Sequence, residues 1–147
     1  MKTFNLTFEG SLLDEDRKNL PTYSGVYLVY RGQLTPDGNS LRCSEIIYIG
    51  QAEDIRRRHS AHERRTDFLN SLPDNEVLFY SYAKAELGDL DRIENALIFH
   101  TQPSLNEIGK DSFLYPSTEI KSDGQCALLD KDIIVDGFQL RTGKLPQ

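Results

Sequence analysis

Two β-rich runs joined by a polar turn constrain the fold more than any other feature of the chain. GVYLVYR (residues 25–31) and EIIYIG (residues 45–50) flank a polar segment that carries Pro36, Asp37 and Gly38. These residue types supply the backbone angles that turns require. The pattern predicts an antiparallel hairpin, which supplies the first pair of strands of a sheet.

Two further runs have the pattern of strands. Phe4, Leu6 and Phe8 alternate with polar residues, and EVLFYSYAKA (residues 76–85) is aromatic and β-rich. Residues 107–147 contain short apolar runs separated by Asp-Gly pairs, and these predict a small β-rich C-terminal extension.

Two helices are expected between and after these strands. One begins near Ile55, capped by Asp54, and continues to residue 68 or 69. The other covers about residues 90–100, with Asp89 as its cap and Pro103 beyond its end. The order of elements is therefore β, β, β, α, β, α and then β.

Length and composition are those of one domain, residues 1–147. The two cysteines, Cys43 and Cys126, lie far apart in unrelated contexts, so a reducing compartment is expected. The chain has no signal-like start and no apolar run long enough for a membrane span. We therefore expect a cytoplasmic protein that does not bind membranes.

Positive charge is concentrated in one short segment. The formal net charge is −6, which argues against indiscriminate adhesion to nucleic acid. Residues 56–65 contain five arginines and one glutamate, a local charge of +4 that leaves −10 on the rest of the chain. Positive potential is expected only around this segment.

Helical spacing groups two residues of this basic segment. Ile55, Arg58 and His62 follow an i, i+3, i+7 pattern and would share one face of a helix. If Ile55 anchors that face on the sheet, a guanidinium and an imidazole lie side by side at its edge. The alternative is an ordinary solvated basic helix.

A carboxylate interrupts the apolar stripe of the second helix. Glu94 lies within the stripe formed by Leu90, Ile93, Leu97 and Ile98. A partly desolvated carboxylate needs a cation or strong donors to stay ionised, and Mg²⁺ is commonly held by one carboxylate with water and phosphate. A capping box, Asp91-x-x-Glu94, explains the spacing equally well.

Several of these residues together resemble a known family. GVY (residues 25–27) and YIG (residues 48–50) resemble the two-part signature of the GIY-YIG nuclease superfamily. Arg58 lies ten positions after Tyr48, His62 four positions later, Glu94 on the next helix, and Asn106 twelve positions after Glu94. The resemblance covers about residues 20–106, which would form the catalytic core, and leaves 107–147 outside it.

The resemblance implies an α/β fold with a small three-stranded antiparallel sheet flanked by helices, to which this chain adds an N-terminal strand and the C-terminal extension. It also implies metal-dependent hydrolysis of phosphodiesters. In such a site Glu94 would hold a single Mg²⁺ or Mn²⁺. Arg58 would donate to the non-bridging oxygens, for which its planar fork is well suited.

The remaining motif residues would complete the catalytic set. Tyr27 resembles the general base of the family, and its pKa, ordinarily near ~10, would have to be lowered by neighbours such as His62 and Arg58. Tyr48 would position water or phosphate, although the two tyrosines could exchange roles. Asn106 would fix the geometry of the site or of a neighbouring backbone.

Other polar residues are candidates for binding substrate. Arg56, Arg57, Arg64 and Arg65 would form a phosphate-attracting field around the site, or an ordinary solvated face. Gln51 follows the YIG signature, where many members have lysine, and would be a further substrate contact without the charge.

Histidine spacing offers a weaker alternative. His59 and His62 form an HxxH pair that could hold zinc with His100 or a cysteine, but no carboxylate or CxxC spacing supports this. His59 is instead expected to be a surface residue flanking the site.

The function expected from the sequence is metal-dependent endonuclease activity, with water as nucleophile and one strand cut per active site. DNA is favoured over RNA as the substrate, and a homodimer or a protein partner is possible. One alternative is a catalytically inactive module with the same fold that binds nucleic acid or protein. Another is an accessory subunit whose acidic C-terminal extension contacts a protein partner.

Overall fold

The predicted hairpin forms the centre of the site-bearing half of the sheet. The structure, a computed structural model, describes residues 1–141. Strand β2 (Gly25–Leu34) pairs antiparallel with β3 (Leu41–Ala52), with Tyr27 opposite Gly50 and Val29 opposite Tyr48. The hairpin prediction is confirmed.

The main sheet has six strands and curls into a half-barrel, so the expected three-stranded antiparallel sheet is wrong. Besides β2 and β3 it contains β1 (Lys2–Leu13), β4 (Val77–Lys84), β6 (Thr118–Gly124) and β7 (Asp132–Val135). The order is β3-β2-β4-β1-β6-β7, and β1 pairs antiparallel with β4 but parallel with β6.

The N-terminal strand explains the larger sheet. Phe4, Leu6 and Phe8 are all buried on one face of β1, so this strand can bridge two others while it contributes to the core. Alternation in the sequence identified the strand and not its partners. Part of the C-terminal extension thus joins the main sheet, and β5 (Ser112–Phe113) pairs with β8 (Gln139–Leu140) in a separate ribbon. Residues 142–147 of that extension lie outside the described residues.

The expected helix over residues 55 to about 69 is wrong, because the chain forms two short helices there. These are α1 (Ile55–Ser60) and α2 (Arg65–Asn70), separated at Ala61, which has φ −149° and ψ 47°. Ser60 Oγ donates to the carbonyl of Arg57 at 2.7 Å, and the His62 ring accepts the backbone N–H of Arg64 at 3.1 Å. Such local bonds compete with the helical ladder. His62 therefore lies outside both helices.

The predicted helix boundaries are otherwise close to those observed. Asp54 caps α1 by accepting the backbone N–H of Arg57 at 3.0 Å, as expected. The third helix, α3 (Leu90–Thr101), begins after Asp89 as predicted, but the Asp89 side chain makes no capping bond. No helix within residues 1–141 has the length and apolarity needed to cross a membrane.

Two apolar clusters lie on opposite faces of the sheet. Helix α3 buries Ile93 and Leu97 against Phe8 and Leu28 on one face. On the other face Ile55 and Phe68, from α1 and α2, are buried with alternate residues of β2 and β3. Strand β3 is the edge of the sheet between these layers, so residues from both sides can meet there.

Candidate active site

The two signature tripeptides meet at the β2–β3 pairing. Tyr27 is 1% exposed and its hydroxyl lies over Gly50, since a Cβ atom built on Gly50 would be 2.3 Å from Tyr27 Oη. Real Cβ contacts are never so short, so only glycine allows the phenol to take this position. Tyr48, on the same strand as Gly50, is half-buried and packs against the apolar cluster that contains Ile55 and Phe68.

A histidine fixes the polar end of Tyr27. His62 Nε2 is 2.8 Å from Tyr27 Oη, and His62 Nδ1 accepts the backbone N–H of Arg64 at 3.1 Å. A neutral imidazole that accepts at Nδ1 carries its proton on Nε2. His62 therefore donates to the phenol oxygen, and the phenol proton is left to point elsewhere.

Burial favours the neutral forms of this pair. It lowers the pKa of His62 to about 4, with a further contribution from the charge of Arg58. It raises the pKa of Tyr27, and the neighbouring Tyr48 raises it further, whereas Arg58 lowers it by less. Arg58 thus lowers the pKa of Tyr27 as expected, but the expected net lowering is wrong, because desolvation of the phenolate outweighs the guanidinium.

Arg58 is held by a carboxylate from the break between α1 and α2. Its two terminal nitrogens donate to both carboxylate oxygens of Glu63, at 2.6 and 2.9 Å. The Arg58 side chain is 28% exposed and that of Glu63 is 69% exposed. The bidentate contact lowers the pKa of Glu63 to about 2, so the pair is ionised at neutral pH.

Glu94 reaches the same region from the opposite face of the sheet. It is half-buried, and desolvation raises its pKa although a hydrogen bond from Gln51 opposes this. Gln51 Nε2 lies 3.4 Å from Glu94 Oε1 and 2.5 Å from Asp91 Oδ1. Burial raises the pKa of Tyr48, and the charge of Glu94 raises it further. Glu94 and Tyr48 line one cleft, and the side-chain donor to Glu94 is an amide rather than a cation. The capping-box alternative is wrong, because α3 begins after Asp89 and Asp91 lies inside the helix.

Asn106 is buried and ties its own segment to the signature strand. Its Oδ1 accepts the backbone N–H of Ile49 and its Nδ2 donates to the carbonyl of Ile49, both at 2.9 Å. The backbone N–H of Leu105 also donates to Ile47 at 2.9 Å. The Asn106 amide thus makes the two hydrogen bonds that a neighbouring strand would make with Ile49 on the edge of β3, and it fixes the backbone between Tyr48 and Gly50.

A cleft of about 560 Å³ opens beside Glu94. Tyr48, Asn106 and Ile98 contribute to its walls. Four carboxylates and one guanidinium, that of Arg64, also line it; the carboxylates are Asp91, Glu94, Glu63 and Glu107. A phosphodiester entering here would meet several negative charges, so it requires compensating positive charge.

The four other arginines are placed differently from one another. Arg65 donates twice to Asp14, at 2.6 and 3.1 Å, and Arg64 pairs with Asp67 at 2.7 Å. Arg56 Nε donates to the carbonyl of Leu20 at 2.6 Å. Arg57 is exposed and has no ion pair within residues 1–141. Carboxylates outside the segment thus neutralise Arg64 and Arg65, whereas Arg56 and Arg57 have no carboxylate partner within residues 1–141.

His59 is buried, so the expected surface position is wrong. His59 is 1% exposed, and its ring centroid lies 4.3 Å from that of Tyr27 and 4.4 Å from that of Tyr80. Burial lowers its pKa to about 3. The available signal was its position four residues after Ile55, which places both on the buried face of α1.

A buried polar network below this aromatic group was also missed. Asp14 accepts the hydroxyl of Tyr80 as well as the guanidinium of Arg65. Burial acts to raise the pKa of Asp14, but these two donors outweigh it and hold the pKa below its usual range. No spacing rule links residues 14, 65 and 80, so the sequence contained no signal for this network.

The donor set fits one hard divalent cation at Glu94. The carboxylate is partly desolvated and has no cationic hydrogen-bond partner among the described residues. Mg²⁺ accepts a single protein carboxylate when water and phosphate complete its shell. Within residues 1–141 there is no group of three or more histidine, cysteine, aspartate or glutamate side chains suited to hold a metal.

Comparison with known proteins finds distant and partial similarity to one kind of protein. The chain is 27% identical over 111 residues to UvrABC system protein C of Fervidobacterium nodosum, a match that covers 72% of this chain and 17% of the relative. It is 34% identical over 85 residues to UvrABC system protein C of Porphyromonas gingivalis, covering 54% of this chain and 14% of the relative. The chain thus spans about a sixth of the length of these relatives.

Two other comparisons find no match. No family model matches the chain. No solved structure matches it either.

Proposed function

We propose that the protein is a metal-dependent endonuclease that hydrolyses nucleic-acid phosphodiesters with water as nucleophile. The observation that carries the proposal is that six motif residues lie around the β2–β3 pairing, on elements from both faces of the sheet; they are Tyr27, Tyr48, Arg58, His62, Glu94 and Asn106. Similarity to UvrABC system protein C, whose N-terminal region is a GIY-YIG nuclease domain, supports it.

Each step of the hydrolysis has a side chain suited to it. A divalent cation held by Glu94 would supply positive charge to the phosphate and the leaving oxygen and favour ionisation of groups around it. Arg58 donates to the non-bridging oxygens as negative charge builds on them. Tyr27, as phenolate, takes the proton of the attacking water, and the Nε2–H of His62 stabilises that phenolate. Tyr48 holds the water or the phosphate in line.

The expected product is a nick. A single site of this kind cuts one strand, so double-strand cleavage needs two protomers or two binding events. DNA is the favoured substrate because of the similarity to a UvrABC system protein. Arg57 would contact a phosphate that flanks the scissile one, because it is exposed and lines a shallow cleft together with Arg58.

The second candidate is a catalytically inactive module that binds nucleic acid or protein. The ion pair between Arg58 and Glu63 favours it, since a guanidinium already bound to a carboxylate is not free for phosphate. The two candidates differ in their need for Glu94. An inactive module tolerates its loss, and a nuclease does not.

The test compares wild type with Glu94→Gln and Arg58→Ala on supercoiled plasmid, single-stranded DNA, structured DNA and RNA, with Mg²⁺ or Mn²⁺. Glu86→Gln, an exposed carboxylate just before α3, is the matched control. We expect nicking by wild type and the control, and a loss of about 10²-fold or more in both site variants. Cutting that persists unchanged in Glu94→Gln, or no cutting by wild type on any substrate, would contradict the proposal.

A further inference from the structure

Glu63 occupies the position on Arg58 that the proposed function reserves for a phosphate. A carboxylate and a phosphate present two oxygens to a guanidinium fork in the same way. Both terminal nitrogens of Arg58 are already engaged by Glu63, at 2.6 and 2.9 Å. A guanidinium can bind two acidic groups through different edges, as Arg31 does with Glu45 and Glu76. The edge formed by the two terminal nitrogens of Arg58 holds one such group at a time, so a phosphate at this edge must displace Glu63.

Glu63 lies where its carboxylate can separate from Arg58. Glu63 lies in the break between α1 and α2, one residue after His62, and its side chain is 69% exposed whereas that of Arg58 is 28% exposed. Released from Arg58, Glu63 can turn into solvent without losing buried contacts. Arg58 keeps its place because it belongs to α1, which Asp54 caps and Ile55 anchors.

We infer that Glu63 is an internal competitor for the phosphate subsite of Arg58, so that a phosphodiester binds only by displacing it. This inference rests on the proposed function for the identity of the displacing group. Glu63 thereby selects against small anions such as free phosphate. A polynucleotide has flanking phosphates whose contacts with residues such as Arg57 offset the displacement, and a lone phosphate has none.

The ion pair is of the right strength for a competitor. Partly exposed ion pairs contribute up to about 1 kcal/mol, which corresponds to a factor of about five in an equilibrium constant. A larger energy would close the site to all substrates. The contact remains ionised at acid pH, because Arg58 holds the pKa of Glu63 at about 2.

The experiment measures phosphate binding at Arg58 directly. Inorganic phosphate is titrated into the full chain without metal, and the Nε–Hε resonance of Arg58, assigned by its loss in Arg58→Lys, reports occupancy. We expect Glu63→Gln to bind phosphate about two- to fivefold more tightly than wild type. Glu53→Gln is the matched control, because Glu53 lines a shallow cleft with Arg58 and lacks a hydrogen-bond or ion-pair partner within residues 1–141; its affinity should equal that of wild type.

Polynucleotide cleavage gives a second reading. Glu63→Gln should lower KM by a similar factor and leave kcat unchanged, because Glu63 has already left Arg58 in the bound complex. Equal phosphate affinity in wild type and Glu63→Gln overturns the inference, and so does weaker binding, which would make Glu63 a residue that positions Arg58. If wild type cuts nothing while Glu63→Gln still binds phosphate more tightly, the inference that Glu63 competes with phosphate for Arg58 is upheld and the nuclease proposal fails.

Discussion

Gly50 leaves the space that the hydroxyl of Tyr27 occupies. The two residues are opposite each other on β3 and β2, and a Cβ atom at position 50 would lie 2.3 Å from Oη and 2.4 Å from Cζ of the tyrosine. The rigid phenol is 1% exposed and cannot swing aside. The last letter of the YIG signature therefore has a steric explanation in this chain.

Gly50→Ala should displace Tyr27 and lower both activity and stability. We expect the free energy of unfolding to fall by about 1–3 kcal/mol, as for overpacked cores, and nicking to fall by about 10²-fold. Urea unfolding and plasmid nicking measure the two effects. Gly88→Ala is the control, since a Cβ atom there meets nothing within 4 Å. Equal stability and equal nicking rates in the two variants would show that position 50 tolerates a Cβ atom.

Tyr27→Phe should abolish most of the activity without loss of the fold. The ring keeps its edge contact with His59, and only the hydroxyl is removed. General-base groups contribute about 10²–10⁴-fold, so we expect a loss of that size in kcat with a small change in the unfolding temperature. Near-normal nicking by Tyr27→Phe would move the role of base to Tyr48.

His62→Phe should shift the pH dependence of cleavage. Because burial and Tyr48 raise the pKa of Tyr27, the rate should increase with pH on the alkaline side of neutrality. Replacing His62 removes the Nε2–H that stabilises the phenolate, so the pKa of Tyr27 rises further and the rate profile moves to higher pH. A profile that moves to lower pH would indicate that His62 accepts the phenol proton.

The local patterns predicted the elements well, and tertiary pairing decided the rest. The β2–β3 hairpin and the start of α3 follow from apolar periodicity and turn residues, which are local. The six-stranded order depends on β1 lying between β4 and β6, which alternation cannot reveal because it identifies a buried face and not a partner. Motif spacing named a set of candidate site residues and left their hydrogen-bond and ion-pair partners unknown.

Counting charges along the sequence has the same limit, because the count does not reveal ion-pair partners. Counting charges between residues 56 and 65 predicts a positive field, but two of these arginines pair with carboxylates outside the counted segment. Arg64 pairs with Asp67, and Arg65 pairs with Asp14, which lies 51 residues earlier in the chain. A local count omits such partners. The predicted roles of Arg56, Arg57, Arg64 and Arg65 in binding substrate remain predictions.

Neutralising Arg65 should destabilise the fold, whereas neutralising Arg57 should leave its stability nearly unchanged. Arg65→Met leaves Asp14 buried without its main cationic partner, so we expect the free energy of unfolding to fall by about 2–4 kcal/mol. Arg57→Met, at an exposed site, should leave stability within about 0.5 kcal/mol and reduce the salt dependence of DNA binding. Urea unfolding and binding isotherms at several salt concentrations measure both; an equal loss of stability would refute the distinction.

Acid should destabilise the protein through its buried histidines, and His59→Phe isolates the larger contribution. Burial lowers the pKa of His59 to about 3 and that of His62 to about 4, both below 6.5. Above pH 6.5 both histidines are neutral in the folded and the unfolded chain, and they do not make stability depend on pH. Below pH 6.5 the unfolded chain binds protons that the folded chain does not, so the free energy of unfolding decreases as the pH is lowered.

Each such histidine lowers the free energy of unfolding by about 1.4 kcal/mol for every pH unit below 6.5. Between pH 7.5 and 5 the free energy of unfolding of wild type should therefore fall by about 2 kcal/mol more than that of His59→Phe. Phenylalanine keeps the aromatic contacts with Tyr27 and Tyr80, and His59 Nε2 has no hydrogen-bond partner to lose within the described part of the chain. Urea unfolding at the two pH values gives the difference, and equal slopes in the two proteins would show that His59 titrates normally in the fold.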